Sequence, residues 1–162
     1  MHAPHTIRHF EDFSPGDVIE LGEKTVSAAE IVEFAAEFDP APYHLSEEGG
    51  RESMLGGLAA SGWHSCALLM RMIVDNLLAH STSQGAPGVD ICRWLKPINA
   101  GQNIRAAATV LSARRSASRP EIGFVRFRFL IHDAAGDGSP ESVLMMLECA
   151  NMFRLRHPEA GA

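Results

Sequence analysis

Apolar and polar residues alternate along "FVRFRFLIHD" (124–133), with Val125, Phe127, Phe129 and Ile131 on one side and Arg126, Arg128 and His132 on the other. A period of two predicts a strand with one dry face and one polar face. Three further runs in the second half, "VDICRWL", "NIRAAATVLSARR" and "ESVLMMLECANMFRLR", also read as strands separated by turn signals. The last is apolar on both faces, which suits a central strand or one covered by a partner subunit. The first half has a different rhythm. "SAAEIVEFAAEF" sets Ile31, Phe34, Ala35 and Phe38 on one helical face and Glu30, Glu33 and Glu37 towards the other. Ser27 and Glu30 form a capping-box pattern at its start, and Pro40 disfavours helical geometry in the preceding residue, which places Asp39 at its end. A longer helix is predicted from about Ser61 to His80.

The remaining stretches fill in the order. "GDVIELGEKTVS" (16–27) predicts a short strand at Val18 and Ile19, followed by a glycine-containing turn. Residues 45–57 read as one helical turn and a glycine-rich loop, and residues 81–88 as a plain loop. Strand, helix, long helix and then four strands argue for an α+β architecture, with an antiparallel β-sheet wrapped around the long helix. No internal repeat is visible, and one domain over residues 1–162 is expected, with flexible termini at 1–9 and 157–162.

Composition narrows the classes. The formal charge is 14 − 20 = −6, which gives no general attraction for nucleic acid or anionic membranes. The apolar stretch 61–80 approaches spanning length, but Arg71 and Asp75 interrupt it, so it reads as a buried helix with an i,i+4 surface pair. Cys66, Cys92 and Cys149 are odd in number and form no CxxC pair, which indicates neither a disulfide framework nor a zinc knuckle. The N-terminus has no apolar signal core, and a reducing cytoplasm is the expected compartment. His2, His5 and His9 lack a neighbouring cysteine or carboxylate cluster and read as a loose terminus, not a metal site.

Two stretches carry candidate chemistry. In "DPAPYH", Asp39 and His44 stand five residues apart on a segment stiffened by Pro40 and Pro42. An arbitrary pair at this spacing reads first as a capped turn, with the imidazole packed under Tyr43. It also reads as an acid–base pair, with a carboxylate to take a proton from water and an imidazole to orient that water or return a proton. In "LGGLAASGW" (55–63), Gly62 opens the long helix, whose first N–H groups can hold an oxygen that gains negative charge. A glycine pair before a helix serves packing or capping more often.

Together these stretches resemble the MaoC-like dehydratases, which include the (R)-specific enoyl-CoA hydratases. That family's motif runs Asp, any residue, Asn, Pro, aliphatic, His, preceded by a helix and followed by a glycine-rich loop and a His-Gly pair that opens the central helix. "DPAPYH" supplies Asp39, Pro42 and His44 at matching spacing, and "SGW" supplies Gly62. The resemblance runs from "FEDFSPGDVIELG" (10–22) to the last strands, with Ala41 at the Asn position, Tyr43 at the aliphatic position and Ser61 at the His position. It implies the hotdog fold, with Asp39 and His44 as the catalytic pair and the Gly62 N–H as oxyanion donor. The implied reaction is reversible addition of water to a trans-2-enoyl thioester, usually of coenzyme A, giving a (3R)-3-hydroxyacyl thioester. No metal or redox cofactor is called for. An acyl-CoA thioesterase on the same fold and a non-catalytic acyl-thioester binding subunit are the alternatives. Trp63 and His64 read as core packing before acyl-tunnel lining. Arg93, Lys96, Arg105, Arg114 and Arg115 stand open between coenzyme phosphate contacts and solvated strand-edge charges. A single hotdog unit leaves a sheet edge open, so a homodimer is expected.

Overall fold

The computed structural model describes residues 6–158. The expectations for His2 and His5, and for the outermost residues of both termini, lie outside the described residues. Strand β1 (Val18–Thr25) leads into helix α1 (Ala28–Phe38), then the short helices α2 (Pro42–Leu45) and α3 (Glu47–Arg51), and the long α4 (Gly62–Asn76). Strands β2 (Ile91–Trp94), β3 (Asn103–Arg115), β4 (Ile122–Asp133) and β5 (Val143–Arg154) follow. The five strands form one antiparallel sheet in the order β1-β3-β4-β5-β2. The fold is α+β, a hotdog fold with the sheet wrapped on a central helix.

The alternation in β4 has the predicted consequence. Val125, Phe127, Phe129 and Ile131 are all fully buried and share one apolar cluster with Leu68, Leu69, Met72 and Ile73 of α4. The doubly apolar β5 is an inner strand between β4 and β2. The capping box of α1 is present, with the Ser27 hydroxyl accepting from the Glu30 N–H.

Four expectations are corrected. β1 runs to Thr25, because Gly22, at φ 86°, makes a bulge inside the strand and not a turn after it. α4 stops at Asn76, whose side-chain amide turns back to donate to the Leu21 carbonyl at 2.7 Å; a separate 3-10 turn covers Leu78–His80. Phe38 is 64% exposed although it continues the apolar stripe of α1, of which it is the last residue. Within the expected loose terminus, Arg8 is tied down: its N–H donates to the His80 carbonyl at 2.9 Å, and the Thr82 N–H donates to the Arg8 carbonyl. Arg71 and Asp75 do pair on the exposed side of α4, at 2.8 Å. No described helix is long and apolar enough to cross a membrane.

The polar side of β4 is paired in register with β5. Arg126 and Arg128 donate to the two oxygens of Glu148 at 3.0 and 2.8 Å, and Arg126 also reaches Asp90 at 2.9 Å. Glu148 is buried, and the hydrogen bond from Arg126, with that from Arg128, holds its carboxyl below the usual carboxylate range. A carboxylate depressed on folding stabilises the native state above its ordinary value and loses that contribution as pH falls through the folded value. Replacement Glu148→Gln therefore lowers the melting temperature clearly at pH 7, and the gap from wild type narrows as pH falls below the ordinary glutamate value of 4.5. Thermal melts at several pH values read this out, and a gap that stays constant down to acid pH contradicts the assignment.

Candidate active site

The end of α1 and the whole of α2 place the first two candidate residues. Asp39 caps α1 with its N–H on the Ala35 carbonyl at 2.9 Å. The Ala41 N–H bonds the Asp39 carbonyl at 2.8 Å, and the His44 N–H bonds the Ala41 carbonyl at 2.9 Å. Pro42, the first residue of α2, fits this turn because its missing N–H would have no helical partner there. Backbone hydrogen bonds therefore close the turn around Ala41 without a side-chain cap. The result brings His44 Nε2 to 3.7 Å from Asp39 Oδ2. His44 is buried and Asp39 is about one-third exposed.

A backbone carbonyl orients the imidazole. His44 Nδ1 lies 2.7 Å from the carbonyl oxygen of Ala59. A carbonyl only accepts, so Nδ1 carries the proton and, in the neutral ring, Nε2 presents its lone pair on the side of Asp39. Ala59 is held in turn. Residues 58–60 form an extended buried segment, with the Ala60 N–H on the Ile98 carbonyl at 2.8 Å and the Ala100 N–H on the Leu58 carbonyl at 3.0 Å. Glu47 of α3 accepts from the Leu58 N–H at 3.0 Å, which fastens the start of the segment.

The same segment runs into α4, where Ser61 is the N-cap and Gly62 the first helical residue. An amide at that position has no carbonyl of its own helix to bond and is available to an acceptor. A Cβ on Gly62 would stand 2.6 Å from Trp94 Cε2, so a glycine is required for the Trp94 indole to lie against the helix start. A cavity of about 580 Å³ opens beside it, lined by His44 and Gly62 together with apolar side chains that include Tyr43, Leu55, Trp94 and Ile98. Asp39 does not line this cavity; it stands at its border, joined to it through His44.

All three candidate residues thus meet at one place. Sequence reasoning missed two participants: the Ala59 carbonyl, and the Ser61 hydroxyl, which donates to Asp39 Oδ2 at 2.6 Å. A serine just before a buried helix signals an N-cap, but a partner in another helix carries no sequence signal. Trp63, expected in the core, is 65% exposed and meets Trp94 edge to face. His64 is buried as expected, stacked on Phe34 at 4.6 Å, with Nδ1 unpartnered, and burial pushes its pKa down. Cys66 and Cys92, far apart in sequence, bring their sulfurs to 3.7 Å, and burial pushes the Cys66 thiol up to about 11. Among the five basic candidates, Lys96 is tied to the Glu141 carbonyl and Arg114 lies over the Phe124 ring. Among the described residues, no group of three or more His, Cys, Asp or Glu side chains is placed to hold a metal ion.

Comparison with known proteins places the chain by family and fold. Residues 12–123 match the family described as the MaoC like domain, and the chain belongs to that family. A solved MaoC-like dehydratase from Rhodospirillum rubrum is 33% identical, superimposes with a TM-score of 0.81, and the match covers 93% of this chain and 99% of that one. The unliganded R-hydratase PhaJ1 from Pseudomonas aeruginosa shares the fold at 19% identity, with a TM-score of 0.70 over 91% of this chain and 86% of its own. The Bacillus subtilis protein YdeM is 24% identical over 115 residues, 71% of this chain and 80% of its own.

Proposed function

We propose that the chain adds water reversibly to a trans-2-enoyl thioester, giving a (3R)-3-hydroxyacyl thioester, with Asp39 and His44 as the acid–base pair. The observation that carries this reading is the pair's geometry. With Nδ1 committed to Ala59, His44 Nε2 and Asp39 Oδ2 are two acceptors 3.7 Å apart. One water can donate a hydrogen to each. The pair takes one proton from that water as its oxygen attacks the β-carbon, and one proton returns to the α-carbon, so both side chains end as they began. The negative charge that develops on the thioester oxygen falls to the Gly62 amide at the positive end of α4. The thioester itself activates the double bond. The cavity's aliphatic and aromatic lining suits an acyl chain next to His44 and Gly62.

The (R) assignment follows the solved relative whose description names it an R-hydratase. Coenzyme A is the proposed carrier and a homodimer the proposed assembly, with β2 exposing an unpaired edge for a second copy; light scattering giving a single-chain mass at micromolar concentration contradicts the dimer. Free thiols at Cys66, Cys92 and Cys149 suit a reducing cytoplasm. A panel of enoyl-CoA thioesters of graded chain length, followed by loss of enoyl absorbance and by thiol release, tests the reaction. Water addition without thiol release is expected. Thiol release from saturated acyl-CoA makes the protein a thioesterase, and tight binding with neither reaction makes it a binding subunit.

A further inference from the structure

Asp39 is a carboxylate in an awkward place. It caps the C-terminal end of α1, where the helix dipole disfavours negative charge. Among the described residues, no lysine or arginine pairs with it, and the one hydroxyl or amide that donates to its carboxylate is Ser61. That bond is 2.6 Å long, in the range of a charge-assisted O–H···O⁻ bond, and Ser61 is fully buried. The serine has a second duty. Its oxygen accepts the Trp63 N–H at 3.2 Å as the N-cap of α4, and its carbonyl accepts the Ser65 hydroxyl at 3.2 Å. A hydroxyl has one proton to give, and here it goes to Asp39, while the lone pairs face the helix. The chain Trp63 N–H, Ser61 O–H, Asp39 Oδ2 polarises in one direction, each bond strengthening the next.

We propose that Ser61 is a positioning residue, whose single hydroxyl locks the Asp39 carboxylate to the helix start that carries the Gly62 amide. The base near the β-carbon and the donor at the thioester oxygen then belong to one rigid frame, although they come from α1 and α4. This deepens the hydration reading and rests on it.

A double-mutant cycle tests the role, using turnover of an enoyl-CoA that the wild type hydrates. Ser61→Ala lowers kcat by roughly ten- to a hundredfold, the size expected for a lost hydrogen bond to a charged group, with KM within about twofold. Ser61→Thr, which keeps the hydroxyl, restores most of the rate. In the D39N background, adding Ser61→Ala changes kcat by less than about twofold, because the hydroxyl acts through the carboxylate. A helix cap alone predicts otherwise: Ser61→Ala then costs the same factor with or without Asp39, and that result overturns the proposal. Proton NMR supplies a readout independent of the reaction. An exchange-protected hydroxyl signal is expected far downfield in the wild type, absent in Ser61→Ala and moved upfield in Asp39→Asn. Wild type that fails to hydrate any enoyl-CoA sinks the reaction while the NMR signal still reports the bond; absence of that signal sinks the positioning role itself.

Discussion

Asp39→Asn leaves a folded protein whose hydration rate falls by about 10²- to 10⁴-fold, the usual contribution of a positioned acid–base group. The substitution is isosteric and keeps an oxygen for the Ser61 hydroxyl, so the melting temperature stays within a few degrees of wild type. What is lost is the carboxylate that, in the proposed mechanism, shares the attacking water with His44. His44→Ala loses at least as much activity but is the less clean experiment. His44 is buried and its Nδ1–H satisfies the Ala59 carbonyl; removing it strands that carbonyl at about 1–3 kcal/mol. The two variants together separate chemistry from folding: activity collapses in both, and stability suffers only in the second. Undiminished turnover in both removes the pair from the mechanism.

Gly50→Ala is the substitution with the largest expected effect on the frame of the site. A Cβ at Gly50 would lie 2.1 Å from the Gly57 carbonyl oxygen and 2.6 Å from the Leu58 nitrogen. Both are backbone atoms, so no side chain can swing away to make room. α3 has to back off from the 57–60 segment, or that segment has to move with the Ala59 carbonyl that orients His44. Overpacking of this kind costs about 1–3 kcal/mol, and the upper end applies because the Leu58 N–H also loses its hold on Glu47. A melting temperature lowered by several degrees is expected, together with a fall in kcat that no acyl chain length rescues. Gly62→Ala is milder for the fold, since its Cβ meets the half-exposed Trp94 ring, which can rotate away. Equal melting temperatures for Gly50→Ala and wild type contradict the close packing of α3.

The two cases show which parts of the molecule the chain advertises. β3 occupies Asn103–Arg115, the residues of the third strand-like run, because a half-buried strand must repeat every two residues. α1 announces both ends, one through Ser27 and Glu30 and the other through Pro40. The long helix announces only its start. Its apolar pattern continues through Leu77 and Leu78, yet the helix stops at Asn76, whose side chain bonds Leu21, distant in the chain. Gly22 likewise reads as a turn until the neighbouring strand shows it to be a bulge. In the site, the legible residues are those whose side chains do the proposed work, Asp39 and His44, together with the glycine that opens a helix. The hidden ones act through backbone or across elements: the Ala59 carbonyl has no residue type to mark it, and Ser61 looks like an ordinary cap until α1 lies beside it. Cys66 and Cys92 are another such pair, made neighbours by the packing of β2 on α4.

The most direct measurement is the fate of labelled water. A trans-2-enoyl-CoA incubated with the protein in H₂¹⁸O should give a 3-hydroxyacyl-CoA carrying one ¹⁸O at the β-carbon, seen by mass spectrometry, with no free coenzyme A and with the label almost absent for D39N. Release of coenzyme A with ¹⁸O in a free carboxylic acid, or equal labelling by wild type and D39N, contradicts a water held between Asp39 and His44.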